Sequence, residues 1–172
     1  AEIHAKGVKQ NICVVVPTLP KLEFNVQALL EGFEIPVYVS ANPVVKWEAF
    51  KSCDIAIAVS GTAALELAYA GVPHVIGYKV STITSLILRM MVKVKRAHLA
   101  NILLDGDIVP EFLQEKCNPE DIAKKVLELL DDPEQMQKQK DAFQGLESLL
   151  SNSEGVDPSL RAAQFIQSVI DK

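Results

Sequence analysis

Ile55-Ala56-Ile57-Ala58-Val59-Ser60-Gly61-Thr62-Ala63-Ala64-Leu65-Glu66 decides the fold. The first five residues form an apolar run of strand length, expected to be covered on both faces of a sheet. Gly61 permits a tight turn, and the residues after it favour helix. A strand therefore delivers a helix N-terminus to the edge of a sheet. Unpaired backbone N–H groups and the positive end of the helix dipole make that position a seat for phosphate, with Ser60, Gly61, Thr62 and Ala63 around it. Glu66, on the second turn, lies within reach of sugar hydroxyls beside such a phosphate. A plainer reading makes Ser60 or Thr62 a cap and Glu66 a complement to the dipole. A capping box from Thr62, however, calls for an acid at 65, and one from Ser60 calls for it at 63, so Glu66 fits neither.

The same βα rhythm runs on both sides. Asn11 to Val16 reads as a strand closed by Pro17, and Leu22 to Leu30 as a helix. Pro36 to Val39 reads as a strand, and Asn42-Pro43 opens a helix through Trp47 and Phe50. The helix from Thr62 to Ala70 stops at Gly71, and Pro73 to Ile76 is the next strand. Strands alternating with helices predict an α/β fold, a Rossmann-like parallel sheet with flanking helices. After Tyr78 the pattern turns helical: Thr82 to Val94, a short Val109 to Lys116, Pro119 to Leu130, Pro133 to Leu149 and Pro158 to Ile170. Asn118-Pro119-Glu120 and Asp132-Pro133-Glu134 each combine an N-cap, a proline at the first helical position and a first-turn acid. In an open parallel sheet ligands sit beyond the C-terminal strand ends, so Ser60 to Thr62 and Gly77-Tyr78-Lys79 are expected to converge there.

At 172 residues and 49% hydrophobic content, the chain has the size and composition of one aliphatic-rich domain. No apolar run reaches bilayer-spanning length and the N-terminus lacks a signal-peptide layout, so a cytoplasmic protein is expected. The net charge of -5 argues against a nucleic-acid partner. Cys13, Cys53 and Cys117 show no metal-ligand spacing and read as buried free thiols. Asp105-Gly106-Asp107 is a turn lacking the rest of a calcium loop. No G-x-G-x-x-G, P-loop or nucleophile-elbow motif is present, and the pattern calls for no metal or cofactor. His74 is expected to pack in a buried strand, while His98 lies in an irregular segment near Asn101.

Val59 to Glu66, followed by Ala70-Gly71-Val72-Pro73-His74-Val75-Ile76-Gly77-Tyr78, resembles the nucleotide-sugar half of a GT-B glycosyltransferase. Leu99-Ala100-Asn101-Ile102-Leu103-Leu104 and Val109 to Cys117 narrow the resemblance to lipid-A-disaccharide synthases. The resemblance implies transfer of 2,3-diacylglucosamine from UDP to 2,3-diacylglucosamine 1-phosphate in lipid A biosynthesis of a Gram-negative bacterium. It implies donor contacts from Ser60, Gly61, Thr62, Ala63, Glu66, Tyr78, Lys79 and Asn101. It also implies that residues 1–172 are one C-terminal UDP-sugar-binding domain without its first strand and without the N-terminal acceptor domain, which becomes a partner. No residue here is assigned as catalytic base. Another GT-B enzyme acting on UDP-sugars, such as the peptidoglycan N-acetylglucosaminyltransferase or a UDP-sugar epimerase, is the alternative, as is a non-catalytic nucleotide-sugar module. On a helix from Thr82 to Arg96, Arg89, Lys93 and Arg96 fall on one ridge between apolar flanks. That ridge suits the anionic inner face of the inner membrane as well as ordinary solvent. A homodimer is a further possible partner state.

Overall fold

The computed structural model describes residues 12–80, 96–150 and 157–170. Strand β1 (Val14–Pro17) leads through a 3-10 turn (Pro20–Leu22) into α1 (Glu23–Leu30), then β2 (Val37–Ser40), α2 (Pro43–Ser52), β3 (Ala56–Ala58), α3 (Thr62–Tyr69) and β4 (His74–Tyr78). Then come α4 (Leu99–Leu103), β5 (Glu111–Leu113), a second 3-10 turn (Gln114–Lys116), α5 (Pro119–Asp131), α6 (Pro133–Leu150) and α7 (Pro158–Ile170). The fold is α/β with parallel strands flanked by helices, as the alternating pattern predicts.

Helix starts follow local chemistry closely. The Asn42 side chain accepts from Val44 N at 2.9 Å, Asn118 from Asp121 N at 2.8 Å, and Asp132 from Glu134 N and Gln135 N at 3.1 Å. Each precedes a proline that needs no N–H partner.

β4 is the spine. Val75 and Ile76 are both fully buried and point to opposite layers. Ile76 packs with Ala64 and Ala68 of α3, Ala100 of α4, and Phe143 and Leu146 of α6. Val75 packs with Val126 and Leu129 of α5 on the other side. Truncating such a residue to Ala costs about 2–5 kcal/mol, because the removed methyls leave a cavity that close-packed neighbours fill only in part. Gly145 lies inside α6, where glycine is unfavourable by about 1 kcal/mol relative to alanine. Its reason is proximity: an added Cβ would come 3.1 Å from the Leu104 side chain.

Four expectations need correction. Val109 to Lys116 is not a helix, because Glu111–Leu113 pairs in parallel with β4 in the register Ile76↔Glu111 to Tyr78↔Leu113. An available strand edge outweighs local propensity there. Leu99–Leu103, read as irregular, is a short helix. Cys13 is exposed, not buried, while Cys53 and Cys117 are half-buried and all three are free. The β3 region is covered on one face only: Ala56 and Ala58 pack toward the helices, whereas Ile57 is 54% exposed. The described strands form two parallel sheets, β1-β2 and β3-β4-β5. The expected helix from Thr82 to Val94 lies outside the described residues.

Candidate functional site

β3 and β4 run side by side in parallel, in register from Ala56↔His74 to Ala58↔Ile76, which brings the turn after β3 and the Tyr78-Lys79 end of β4 to the same sheet edge. α3 starts there. Its N-cap is Gly61 at φ +157 and ψ -167, a region open essentially to glycine alone. Among the described residues no side chain caps this helix, and a Cβ at Gly61 would meet none of their atoms within 4 Å. α2, α5 and α6, by contrast, start under Asn42, Asn118 and Asp132. The first-turn N–H groups of α3 therefore face open space, with exposed Thr62 and Ala63 around them.

Ser60 does not supply a proton to that space. Its hydroxyl donates to Ala97 O at 2.6 Å, tying the β3–α3 turn to the segment that enters α4. Glu66 is held by Lys46 of α2 at 2.9 Å, with the two side chains 37% and 28% exposed. The Lys46 ammonium also lies 5.0 Å from the Trp47 ring centroid. Lys46 escaped the sequence reading, although a lysine on the first turns of a helix that follows a strand is the available signal. Tyr78 is half-buried against the α3–α6 core, and Lys79 is exposed.

Asn101 is 1% exposed and its amide is committed within the chain. Its Nδ2 donates to Val109 O and to Glu111 Oε1, both at 2.8 Å, and its Oδ1 accepts from Ile108 N at 3.1 Å and Val109 N at 2.9 Å. The side chain organises the turn between α4 and β5. Glu111 also accepts from Ala97 N at 2.7 Å and His98 N at 3.1 Å. The carboxylate opening β5 thus clamps the segment before α4 that carries the Ser60 contact, a role with no local sequence signature because its partners lie 10 to 14 residues away.

Behind this clamp lie two fully buried histidines. His74 Nδ1 lies 2.7 Å from Val72 O, a carbonyl that only accepts, so this nitrogen carries the proton. His74 Nε2 then accepts from His98 Nε2 at 2.9 Å, which leaves His98 Nδ1 unprotonated, buried and without a partner. Burial pushes both imidazoles down to about 4; for His74 the neighbouring His98 adds to this, and the Val72 hydrogen bond opposes it. Phe143 stacks on His74, and Gln139 accepts the His74 backbone N–H at 3.0 Å. The pair is core structure that supports the site from beneath.

Of the proposed basic ridge, Arg89 and Lys93 lie outside the described residues. Arg96 is bound to Asp105 at 2.6 Å and Asp107 at 2.7 Å, so its charge is directed at its own turn and not outward as a lone cation. Among the described residues no group of three or more His, Cys, Asp or Glu is placed to hold a metal, and no helix is long and apolar enough to cross a membrane.

A family model described as lipid-A-disaccharide synthetase matches residues 5–165. The lipid-A-disaccharide synthase of Rhodospirillum centenum is 37% identical over 159 residues, covering 92% of this chain and 39% of that protein. That of Bradyrhizobium diazoefficiens is 35% identical over 159 residues, with shares of 92% and 40%. That of Paramagnetospirillum magneticum is 40% identical over 124 residues, with shares of 71% and 32%. The chain spans about two fifths of the length of the first two relatives.

Proposed function

The chain belongs to the lipid-A-disaccharide synthase family, and from that premise we propose that it is the donor-binding part of the enzyme. In this reading it holds UDP-2,3-diacylglucosamine while the sugar passes to 2,3-diacylglucosamine 1-phosphate, at the cytoplasmic face of the inner membrane. The observation that carries it is the α3 N-terminus, uncapped by any side chain among the described residues and opened by Gly61 at the C-terminal edge of the sheet.

The chemistry follows from that placement. Cleaving the sugar–phosphate bond leaves negative charge on the departing UDP. Backbone N–H groups fixed at a helix N-terminus stabilise that charge more in the transition state than in the ground state, which lowers the barrier. Lys46, paired with Glu66, adds a cation at the same edge. Glu66 keeps lone pairs for ribose or sugar hydroxyls, since its ion pair occupies one oxygen. Ser60, Asn101 and Glu111 shape the turn without touching ligand in this scheme. Alignment of the acceptor hydroxyl, and the base that removes its proton, come from the family sequence outside this chain.

Titration calorimetry of the chain with UDP, in buffer with and without a chelator, tests the reading. Binding that is equal in both buffers and lost in a Gly61→Val variant is the expected result. A strict need for magnesium or manganese would refute the helix-N-terminus account.

A further inference from the structure

Lys46 and Glu66 join the beginnings of two helices. α2 follows the end of β2 and α3 follows the end of β3. Lys46 is the fourth residue of α2, and its backbone N–H donates to Asn42 O at 3.1 Å, within the first turn. Glu66 is the fifth residue of α3, four beyond Thr62, so the two share one face of that helix about a turn apart. Lys46 Nζ donates to Glu66 Oε2 at 2.9 Å, which brings the ammonium beside the start of α3 as well as that of its own helix.

Folding alone gives little reason for this lysine. The positive end of a helix dipole disfavours a cation. An ion pair in contact with water adds little to stability, and these two side chains are 28% and 37% exposed. The ammonium is nevertheless held. It lies 5.0 Å from the Trp47 ring centroid and 5.9 Å from that of Phe50, and the two rings meet edge to face at 5.6 Å. Attraction to both rings and to the carboxylate fixes one position for a flexible four-carbon stem.

Charge supplies the reason. A helix N-terminus carries about half a positive charge, while Glu66 places a full negative charge about one turn, roughly 5.4 Å, further along. By itself α3 therefore presents a net negative charge to a diphosphate. The Lys46 ammonium cancels the carboxylate and restores the positive field of the helix end.

We propose that Lys46 is a positioning residue of the nucleotide site: acting through Glu66, it is the counter-charge that lets a carboxylate stand one helical turn from a bound diphosphate. This deepens the proposed function above and rests on it. The role depends on how much charge the ligand carries, which a purely structural lysine does not. Coulomb's law over about 6 Å, at an effective dielectric between those of a protein surface and water, puts the unmasked repulsion near about tenfold in affinity for each ligand charge.

Titration calorimetry of the 172-residue chain with UDP and with UMP tests this, with melting temperatures recorded on the same samples. Lys46→Met, which keeps the stem and drops the charge, is expected to weaken UDP by at least about tenfold and UMP by less, and the difference should shrink as ionic strength rises. Adding Glu66→Gln to Lys46→Met should recover most of the UDP loss, because the repelling charge is gone and an acceptor oxygen stays. Lys46→Arg, which keeps the charge, should recover it too. If Lys46→Met does not fold, Glu66→Gln alone decides: leaving the ammonium unmasked, it should raise the preference for UDP over UMP above that of the wild type. An unchanged preference in that variant, equal losses of UDP and UMP in Lys46→Met, or no recovery in the double variant each overturns the proposal. The two readings fail differently. A wild-type chain that binds no UDP overturns the proposed function and this inference with it, whereas wild-type binding that Lys46→Met retains in full removes the role of Lys46 alone.

Discussion

Acidification from pH 7 to pH 5 is expected to strip several kcal/mol from the stability of this chain through the His74–His98 pair. Both rings are fully buried, and their pKa values fall from 6.5 to about 4. The sign follows from proton counting. Below pH 6.5 the unfolded chain takes up protons that the folded chain refuses until about pH 4, so stability drops as pH falls through that window. Integrating the binding difference to pH 5 gives roughly 2 kcal/mol for each ring, or roughly 4 kcal/mol for the pair. That is a large part of a typical domain stability of about 5–15 kcal/mol. The depressed carboxyls of Asp132 and Asp157 do not blur the window, because their stabilisation is lost only as pH falls below 3.8. Urea unfolding at half-unit pH steps measures the slope, and His98→Leu should roughly halve it by removing one titrating ring. A midpoint that stays constant from pH 7 to pH 5, with imidazole NMR signals titrating near 6.5, would refute the buried neutral pair.

Glu66→Ala should weaken UDP-sugar binding by about 1.5–3 kcal/mol, through loss of a charge-assisted hydrogen bond, while the half-exposed Lys46 pair makes the stability cost at most about 1 kcal/mol; lost stability with intact affinity would make the residue structural. Asn101→Ala should destabilise the chain by about 1–3 kcal/mol or more, because it strands the N–H groups of Ile108 and Val109 in a buried turn; a melting temperature within one degree of wild type would contradict the hub assignment. Disaccharide formation from radiolabelled donor should be undetectable with the chain alone and should appear when the rest of a family member is added, since acceptor alignment and proton removal are assigned outside these residues. Efficient turnover by the chain alone would reverse that assignment.

Local chemistry carried much of the architecture. An asparagine or aspartate before a proline marks a helix start because the capping bond closes within two or three residues, and Asn42, Asn118 and Asp132 all do this. The strand, glycine turn and helix around Gly61 were legible for the same reason: backbone conformation there depends on residues adjacent in the chain. Long-range partners were not legible. Glu111 begins a strand because the edge of β4 is available to it, and Asn101 is buried because Val109 and Glu111 fold back onto it. The exposed face of Ile57 and the division into two sheets follow from which strands find neighbours, a property of the whole assembly. Periodicity in sequence reports how a segment alternates between inside and outside. Which surface it meets, and which of its polar groups are already satisfied, is decided only when distant segments compete for the same hydrogen bonds.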